Sequence, residues 1–318
     1  MKVLVTGVAG FAGSHLTDFL LKKKKVVVYG IDRRGVSSMN IEDAKNKIRY
    51  YECDITNYSK LHGLLGRIRP DSIIHLAAQS SPLISKRSPA ETLEANAIGQ
   101  TNLLEAVRNL KIDPKIIIAG SCQEYGIVRK NEIPIKETHA LKPLNIYSVS
   151  KVTQDLLGYH YYKSYGLKII RTRPSHHTGP RRPDNFVCSN FAKQIAMVEA
   201  KKQKPIICVG NLHAIRDFTD VRDIVRAYWL LMQKGSSGEA YNICSGKGHS
   251  IKEVLDILLS LSKVKIKVRK DLARMRPNDI QIFVGDCTKI KRQVGWKSII
   301  PLKQTLEDLL NYWRKIYE

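Results

Sequence analysis

The sequence predicts an α/β protein with a doubly wound parallel sheet and a second, smaller α/β domain. Short β-branched runs alternate with helical stretches through the first half of the chain, and such alternation gives right-handed crossovers between parallel strands. After Pro174 this alternation is lost, which indicates a separate lobe. The 318 residues suffice for one large lobe or two modest ones.

The strands of the first half are apolar on both faces, as expected where helices cover a parallel sheet. An opening strand begins at residue 2, and further strands are predicted at 26–31, 72–76, 115–119 and 168–173. Helices are predicted between them at 12–22, 58–67, 91–110 and 146–165.

We expect residues 1–173 to form the domain built on the parallel sheet and residues 174–318 to form the smaller one. The smaller domain is expected to bind substrate and to close over the carboxyl edge of the sheet. The two are expected to interleave, because the stretch 212–235 contains a predicted helix, 220–233, that returns to the first domain.

Charge is the unusual feature of the composition. The chain has 53 Lys and Arg residues but only 29 Asp and Glu residues, which gives a net charge of +24. Nucleic-acid binders show such an excess, and so do enzymes that attract a doubly charged nucleotide-sugar. The densest run, Lys22 to Lys25, closes a predicted helix, where cations are favoured, and has no interleaved aromatic residues. We interpret the excess as solvated surface and do not expect a nucleic-acid partner.

The six cysteines are scattered, without the paired spacing of a disulfide framework or a metal site. No apolar run approaches the roughly 18 residues of a membrane span. We therefore expect a cytoplasmic protein with reduced thiols, no bound metal and no membrane association.

A glycine-rich turn joins the opening strand to the first helix. Gly7, Gly10 and Gly13 recur at three-residue spacing. They allow a tight turn, close approach of backbone N–H groups to phosphate, and close packing of helix on strand. Phe11 and Ala12 open the helix, and the Phe11 ring is expected to anchor it in the core. The pyrophosphate of a dinucleotide would bind here.

The second strand ends at a carboxylate followed by two cations. Asp32 lies at about the distance where a carboxylate binds the adenosine ribose hydroxyls, which favours NAD. Arg33 and Arg34 follow it and could instead bind the 2′-phosphate of NADP. Both cofactors therefore remain open.

Two later strand ends complete the expected cofactor site. Asp54 and Ile55 follow the third strand and are expected at the adenine edge, although Asp54 also suits the region before a helix. Leu76, Ala77 and Ala78 are expected where the dinucleotide backbone passes, although small residues there also suit plain packing.

Three residues form a candidate catalytic group. Tyr147 and Lys151 share one face of a predicted helix, and Ser121 ends the fifth strand. The neighbouring ammonium is expected to lower the pKa of Tyr147 from about 10 to near 7. Tyr147 would then exchange a proton with a sugar oxygen while a hydride moves between carbon and nicotinamide. Ser121 would hydrogen-bond the same oxygen, and Lys151 would also hold the nicotinamide ribose.

With these residues, the stretches 191–196, 209–212, 216–223, 276–279 and 295–296 resemble the extended short-chain dehydrogenases/reductases that modify nucleotide sugars. Closest in pattern are the GDP-6-deoxy-D-mannose reductases and their relatives, the GDP-mannose 4,6-dehydratases. The resemblance covers essentially the whole chain. It implies a Rossmann domain, a GDP-sugar substrate, and a homodimer or homotetramer formed through helices 91–110 and 146–165.

The resemblance also implies roles for residues of the second half. Arg216 and Arg276 match positions that bind the nucleotide diphosphate, which suits the planar, permanently charged guanidinium. For Arg216 the alternative is a local salt bridge to Asp220 or Asp223. Asn190 and Lys193 are expected on the helix that lines the nucleotide pocket.

Two positions depart from the family pattern. A dehydratase has a carboxyl two residues after the position of Ser121, whereas this chain has Gln123, which cannot transfer a proton. Glu124 is adjacent, but on an extended strand end its side chain would point to the opposite face. His176 replaces an asparagine that contacts substrate in the family. It can still donate one hydrogen bond, and neither it nor His177 is assigned chemistry.

The resemblance and Gln123 together favour reduction of GDP-4-keto-6-deoxy-D-mannose to GDP-D-rhamnose over dehydration. The alternatives are a GDP-mannose 4,6-dehydratase, a nucleotide-sugar 4-epimerase, and a redox-inactive relative that binds RNA.

Overall fold

A computed structural model describes residues 1–275 and 280–318. In these ranges the strands are β1 (Lys2–Thr6), β2 (Val27–Asp32), β3 (Arg49–Glu52), β4 (Ser72–His75), β5 (Lys115–Ala119), β6 (Ile169–Pro174), β7 (His176–Thr178), β8 (Ile206–Val209), β9 (Ile215–Asp220), β10 (Ala240–Ile243), β11 (Gly248–Ser250) and β12 (Lys267–Lys270).

The α-helices of the same ranges are α1 (Phe11–Leu21), α2 (Glu42–Lys45), α3 (Tyr58–Ile68), α4 (Pro82–Arg87), α5 (Pro89–Leu93), α6 (Gly99–Asn109), α7 (Ile146–Tyr165), α8 (Val187–Glu199), α9 (Val221–Lys234), α10 (Ile251–Ser260), α11 (Thr288–Val294) and α12 (Leu302–Tyr317). Short 3₁₀ turns lie at Met39–Ile41, Cys122–Tyr125, Lys130–Glu132 and Leu272–Arg274.

Within the described ranges, seven strands form one parallel sheet in the order β10–β6–β5–β4–β1–β2–β3. The chain order reverses at β1, whose neighbours are β2 and β4. A crevice opens at the carboxyl ends of the strands at such a reversal, and ligands bind there in open α/β sheets. The predicted fold class is confirmed.

Alternation along the strands places apolar side chains on both faces of this sheet. On one face Val3 and Val5 pack with residues of α1 and α9, such as Leu16 and Val225. On the other face Leu4 packs with residues of α3 and α6. Because both faces are covered, the strands are almost continuously apolar.

The second half of the chain builds two small sheets, ordered β11–β9–β7 and β12–β8 in the part that the structure describes. Helices α8, α10 and α12 pack around a third core that includes Phe191, Leu255 and Leu309. Two later elements lie with the large sheet: α9 packs on α1, and β10 pairs with β6. The division at residue 173 remains a prediction, and the sequence did not indicate β10.

The predicted helix 91–110 is interrupted. A π-helical stretch, Glu94–Ile98, lies between α5 and α6. Within it the buried Asn96 donates hydrogen bonds to the Gln79 carbonyl at 3.0 Å and to Ser150 Oγ at 2.8 Å, which ties this segment to α7. Among the described residues, no helix is long and apolar enough to cross a membrane.

Candidate active site

The glycine turn has the geometry of a phosphate-binding loop. Gly7 has φ +71°, and a Cβ there would lie 2.8 Å from the Ala77 nitrogen, so the turn packs against the segment Leu76–Ala78. A Cβ on Gly13 would lie only 2.1 Å from the Gly7 carbonyl oxygen. Gly10 is the N-cap of α1, whose first turn contains no acidic residue. The first turn of α1 therefore offers helix N–H groups to an anion and contributes no negative charge of its own.

Asp32 is fixed to this turn. Its Oδ2 accepts a hydrogen bond from the Ala9 amide at 2.6 Å. Burial raises the pKa of Asp32 to about 6. One of the two oxygens expected to bind ribose hydroxyls is therefore already engaged.

Beyond Asp32 a cavity of about 490 Å³ lies beside the ends of β2 and β3. Three cationic residues, Arg33, Arg34 and Lys60, and two carboxylates, Glu52 and Asp54, line it. Asp54 Oδ1 accepts hydrogen bonds from the Thr56 amide and hydroxyl, at 2.9 and 2.8 Å, just before α3. Asp54 thus stabilises the turn and also faces the cavity.

Ile55 and Ala12 lie away from this cavity. The Ile55 side chain is buried in the core formed with α3 and α6. Ala12 lies in the first turn of α1, partly buried against the opposite core.

Ser121 and Tyr147 lie together, as predicted for the catalytic group. Both side chains are buried, and the Ser121 hydroxyl is close enough to Tyr147 to lower the pKa of the phenol. The expectation that Ser121 ends the strand is wrong, because β5 ends at Ala119. Ser121 instead caps the 3₁₀ turn Cys122–Tyr125, and its Oγ accepts a hydrogen bond from the Gln123 amide at 3.2 Å.

The expected lowering of the pKa of Tyr147 is also wrong. Burial raises this pKa to about 12, and the neighbouring Ser121 hydroxyl only partly opposes the rise. Lys151 donates to the Ala119 carbonyl and to Gln154 Oε1, each at 2.8 Å, so its ammonium is engaged elsewhere. Burial lowers the pKa of Lys151 to about 8. Tyr147 is therefore protonated at neutral pH and suited to donate a proton.

A cation that the sequence analysis did not select lies near Tyr147. The Arg182 guanidinium carbon is 3.4 Å from the Phe186 ring centroid and 4.8 Å from that of Phe11, at the start of α1. Its Nε is buried and has no hydrogen-bond partner among the described residues. Burial lowers its pKa to about 10. Nothing in the sequence distinguishes Arg182 from Arg181, which pairs with Asp18 at 2.7 Å.

His177 belongs to the same group. Its ring stacks on Phe11 at 5.8 Å between centroids, and its Nδ1 lies 3.1 Å from the Ser175 carbonyl oxygen. Burial lowers the pKa of His177 to about 3, so the imidazole is neutral. The neutral ring and the cationic Arg182 both contact Phe11 at the start of α1, and the charge of Arg182 also acts on Tyr147.

The turn after Ser121 separates Gln123 from Glu124. The predicted extended strand end is wrong here, since the residues form a 3₁₀ turn. Gln123 remains partly exposed, whereas Glu124 is fully buried and its Oε1 accepts from the Ser121 amide at 2.6 Å. Gln123 is therefore the residue of this pair that can face a substrate.

The candidate substrate residues lie in the second half of the chain. Arg216 is buried and donates to the Ile215 carbonyl at 2.9 Å. The two carboxylates considered as its partners bond other cations: Asp220 pairs with Arg222 at 2.7 Å, and Asp223 with Arg226 at 2.8 Å.

On α8, Asn190 donates to the Asp184 carbonyl at 3.1 Å and Lys193 pairs with the Asp184 carboxylate at 2.6 Å. Both side chains are thus tied to the loop before α8. His176 Nδ1 lies 3.7 Å from Cys122 Sγ, next to the Ser121 turn. Arg276 lies outside the described residues.

Known proteins resemble this chain over its whole length. The family model for GDP-mannose 4,6 dehydratase matches residues 4–309. GDP-6-deoxy-D-mannose reductase of Pseudomonas aeruginosa is 31% identical over 312 residues, 98% of this chain and 97% of that protein. GDP-mannose 4,6-dehydratase of Vibrio cholerae serotype O1 is 30% identical over 348 residues, 96% of this chain and 92% of that protein. The solved structure of RMD from Pseudomonas aeruginosa complexed with NADPH has a TM-score of 0.88 and 29% identity, and the match covers 99% of each chain.

The chain therefore belongs to the extended short-chain dehydrogenases/reductases that modify nucleotide sugars with NAD or NADP, and the predicted family and enzyme class are confirmed. Within that class it is a member of the GDP-mannose 4,6 dehydratase family. Reductase and dehydratase relatives are almost equally similar in sequence, so the choice between the two reactions depends on the site.

Proposed function

We propose that this protein uses NADPH to reduce the C4 ketone of GDP-4-keto-6-deoxy-D-mannose to GDP-D-rhamnose. The observation on which this depends is the buried neighbouring pair Ser121–Tyr147 with Gln123 two residues along the turn. The pair supplies the two hydroxyl groups that a carbonyl reduction needs. At position 123 this chain has an amide in place of the carboxyl that a dehydration needs.

The proton-transfer half of the reaction follows from the protonation state of Tyr147. NADPH, when bound, would supply the hydride that reduces C4. Tyr147 is protonated, so it donates its proton to the developing alkoxide on O4. Ser121 hydrogen-bonds the same oxygen and stabilises the charge that develops on it. Lys151, buried on the same helix one turn later, would hold the cofactor ribose.

Dehydration needs a further group that removes a proton from C5 of the sugar. Gln123 has no titratable proton. Glu124 is fully buried, and its carboxylate bonds the Ser121 amide and lies against Arg173. It is therefore not available as a base towards the substrate.

NADPH is favoured over NADH by the residues around β2. Asp32 uses one carboxylate oxygen to hold Ala9, while Arg33, Arg34 and Lys60 line the adjacent cavity and suit a phosphate. The glycine turn admits a pyrophosphate, and Arg182, whose Nε has no hydrogen-bond partner in the described part of the chain, offers a cation near the start of α1. Arg216 in β9 is proposed to bind the diphosphate of the GDP-sugar.

The exposed apolar residues support self-association through α7 and the segment before α6. Leu156 and Tyr159 on α7 are 55% and 43% exposed, and Ile98 is 53% exposed. Large exposed side chains on adjacent helices are typical of an interface. We infer a homodimer formed through these helices, which light scattering on the purified protein would test.

The proposed reaction is tested by incubating the purified protein with GDP-4-keto-6-deoxy-D-mannose and either NADPH or NADH. We expect one cofactor oxidised per sugar reduced, with a lower KM for NADPH, and turnover by Tyr147→Phe at least about 100-fold slower. Consumption of neither cofactor would contradict the proposal. Turnover of GDP-mannose by the protein alone, without added cofactor, would indicate the dehydratase instead.

A further inference from the structure

We propose that Glu124 is a positioning residue for Ser121: held between the Ser121 amide and Arg173, it fixes the Ser121 hydroxyl beside Tyr147. The kinetic part of the test rests on the proposed function. A second measurement, described below, does not.

Glu124 and Ser121 bond each other reciprocally. Glu124 Oε1 accepts the Ser121 amide at 2.6 Å, and the Glu124 amide donates to the Ser121 carbonyl at 3.1 Å. Ser121 Oγ accepts the Gln123 amide at 3.2 Å, which completes a capping box around a single 3₁₀ turn. The backbone of Ser121, and with it the direction of its hydroxyl, is thus set by the Glu124 carboxylate.

The backbone before Ser121 leaves room for this carboxylate. A Cβ on Gly120 would lie 2.3 Å from Glu124 Oε1 and 2.7 Å from the Thr172 carbonyl oxygen. The carboxylate therefore occupies the space that any other residue at position 120 would need for its side chain.

On its other side Glu124 contacts a buried arginine. Glu124 Oε2 lies 3.1 Å from Arg173 Nε, which also bonds Asp155 Oδ2 at 3.0 Å. Asp155 lies on α7, one helical turn after Lys151. The buried charges therefore connect the turn that presents Ser121 to the helix that presents Tyr147 and Lys151.

A carboxylate is the group that satisfies both contacts. One oxygen accepts a hydrogen bond from the Ser121 amide, and the other makes an ion-pair contact with the Arg173 guanidinium, 3.1 Å from its Nε. An amide of the same shape would turn an N–H group towards one of these donors. Burial and the nearby Asp155 raise the pKa of Glu124, while Arg173 and Lys151 oppose the rise. Tyr125, on the same turn, donates to Asn242 at 2.7 Å and accepts from Arg173 at 3.1 Å.

The kinetic test compares Glu124→Gln with Glu132→Gln. Glu132 is a matched control, because it accepts a hydrogen bond from the Arg129 amide at 2.6 Å in another capping box but is only partly buried. We expect kcat of Glu124→Gln to fall about tenfold to hundredfold, since losing a whole donor to the developing oxyanion costs about 100- to 1,000-fold. KM for both substrates should change less than about twofold. Glu132→Gln should match the wild type.

A double-mutant cycle separates positioning from a general loss of folding. If Glu124 acts through Ser121, Glu124→Gln should cost nothing further in a Ser121→Ala background. Independent, additive losses would overturn the proposal, and so would equal kcat values for Glu124→Gln and Glu132→Gln. Should Glu124→Gln fail to fold, Glu124→Asp, which keeps the charge but shortens the reach, enters the same cycle.

The pH profile provides a further readout. The wild-type kcat should fall on the acid side as Glu124 is protonated, at a pH above the ordinary carboxylate range of about 4. Glu124→Gln should lack this acid limb between roughly pH 5 and 9. Identical profiles for the two proteins would overturn the proposal.

Hydrogen exchange tests the contact without any assay of activity. We expect the Ser121 amide of Glu124→Gln to exchange at least about tenfold faster than in the wild type, with no such change in Glu132→Gln. Equal exchange would overturn the proposal. If the wild type reduces no keto-sugar, the proposed function fails, and this measurement alone decides the role of Glu124.

Discussion

Replacing Arg182 with Met should have opposite effects on the free protein and on cofactor binding. Burial lowers the pKa of Arg182 to about 10, and no carboxylate among the described residues compensates its charge. Each pKa unit corresponds to about 1.4 kcal/mol, so the buried charge costs the fold at most about 3 kcal/mol. The cation–π contact with the Phe186 ring, at 3.4 Å from its centroid, stabilises the folded state by about 1 kcal/mol.

The Arg182→Met variant without cofactor should therefore be more stable by about 1 to 2 kcal/mol, which is a rise in Tm of a few degrees. Because Arg182 is cationic at every pH below about 10, this gain should not change between roughly pH 6 and 8. In contrast, losing a charged hydrogen bond to phosphate costs about 1.5 to 3 kcal/mol. The Kd for NADPH should rise about 10- to 150-fold.

Thermal melting with and without saturating NADPH measures both effects, since a ligand stabilises the protein to the extent that it binds. Arg181→Met is the matched control, because Arg181 is ion-paired to Asp18 and its loss should change stability by less than about 1 kcal/mol. An Arg182→Met protein that melts below the wild type without cofactor, or that binds NADPH with unchanged Kd, would refute the reasoning.

Three further outcomes are expected. Tyr147→Phe should lower kcat about 100- to 10,000-fold through loss of the proton donor, with NADPH affinity within about twofold in a fluorescence titration; retained turnover would contradict this. Gly13→Ala should abolish NADPH binding in the same titration, because its Cβ would lie 2.1 Å from the Gly7 carbonyl oxygen; wild-type affinity would show that the turn can move. The pKa of Asp32 is raised to about 6. Between about pH 4 and 6 the folded protein therefore holds a proton that the unfolded chain has released. The free energy of unfolding should consequently fall as the pH rises through this range. In urea titrations at about pH 4 and pH 6, Asp32→Asn should reduce this pH-dependent loss of unfolding free energy by up to about 3 kcal/mol. An unchanged loss in the variant would contradict the raised pKa of Asp32.

The layered fold could be predicted because a strand that is buried on both faces consists almost entirely of apolar residues. Alternate residues of β1 pack on opposite faces of the sheet, and this covered arrangement appears directly as an apolar run. The glycine turn was predictable for a similar local reason, since close backbone contacts at Gly7 and Gly13 exclude a side chain. In contrast, the short strand β10 depends on pairing with β6, far away in the chain.

The features of the site that were missed depend on tertiary contacts. The four-residue spacing of Tyr147 and Lys151 places them on one face of α7, but it does not show that Lys151 bonds Ala119 and Gln154. The pKa of Tyr147 is governed by burial, which its neighbours in sequence do not reveal. Arg182 was missed because its contact with Phe11 joins two elements that are far apart in the sequence.

The central claim is that a hydride reaches C4 of the sugar while Tyr147 protonates O4. The most direct measurement supplies NADPH with deuterium at the transferred position, together with GDP-4-keto-6-deoxy-D-mannose, and examines the product by NMR. We expect deuterium at C4 of GDP-D-rhamnose, one oxidised cofactor per product, and product formation at least about 100-fold slower with Tyr147→Phe. A sugar product without deuterium at C4, formed while NADPH remains unconsumed, would contradict it.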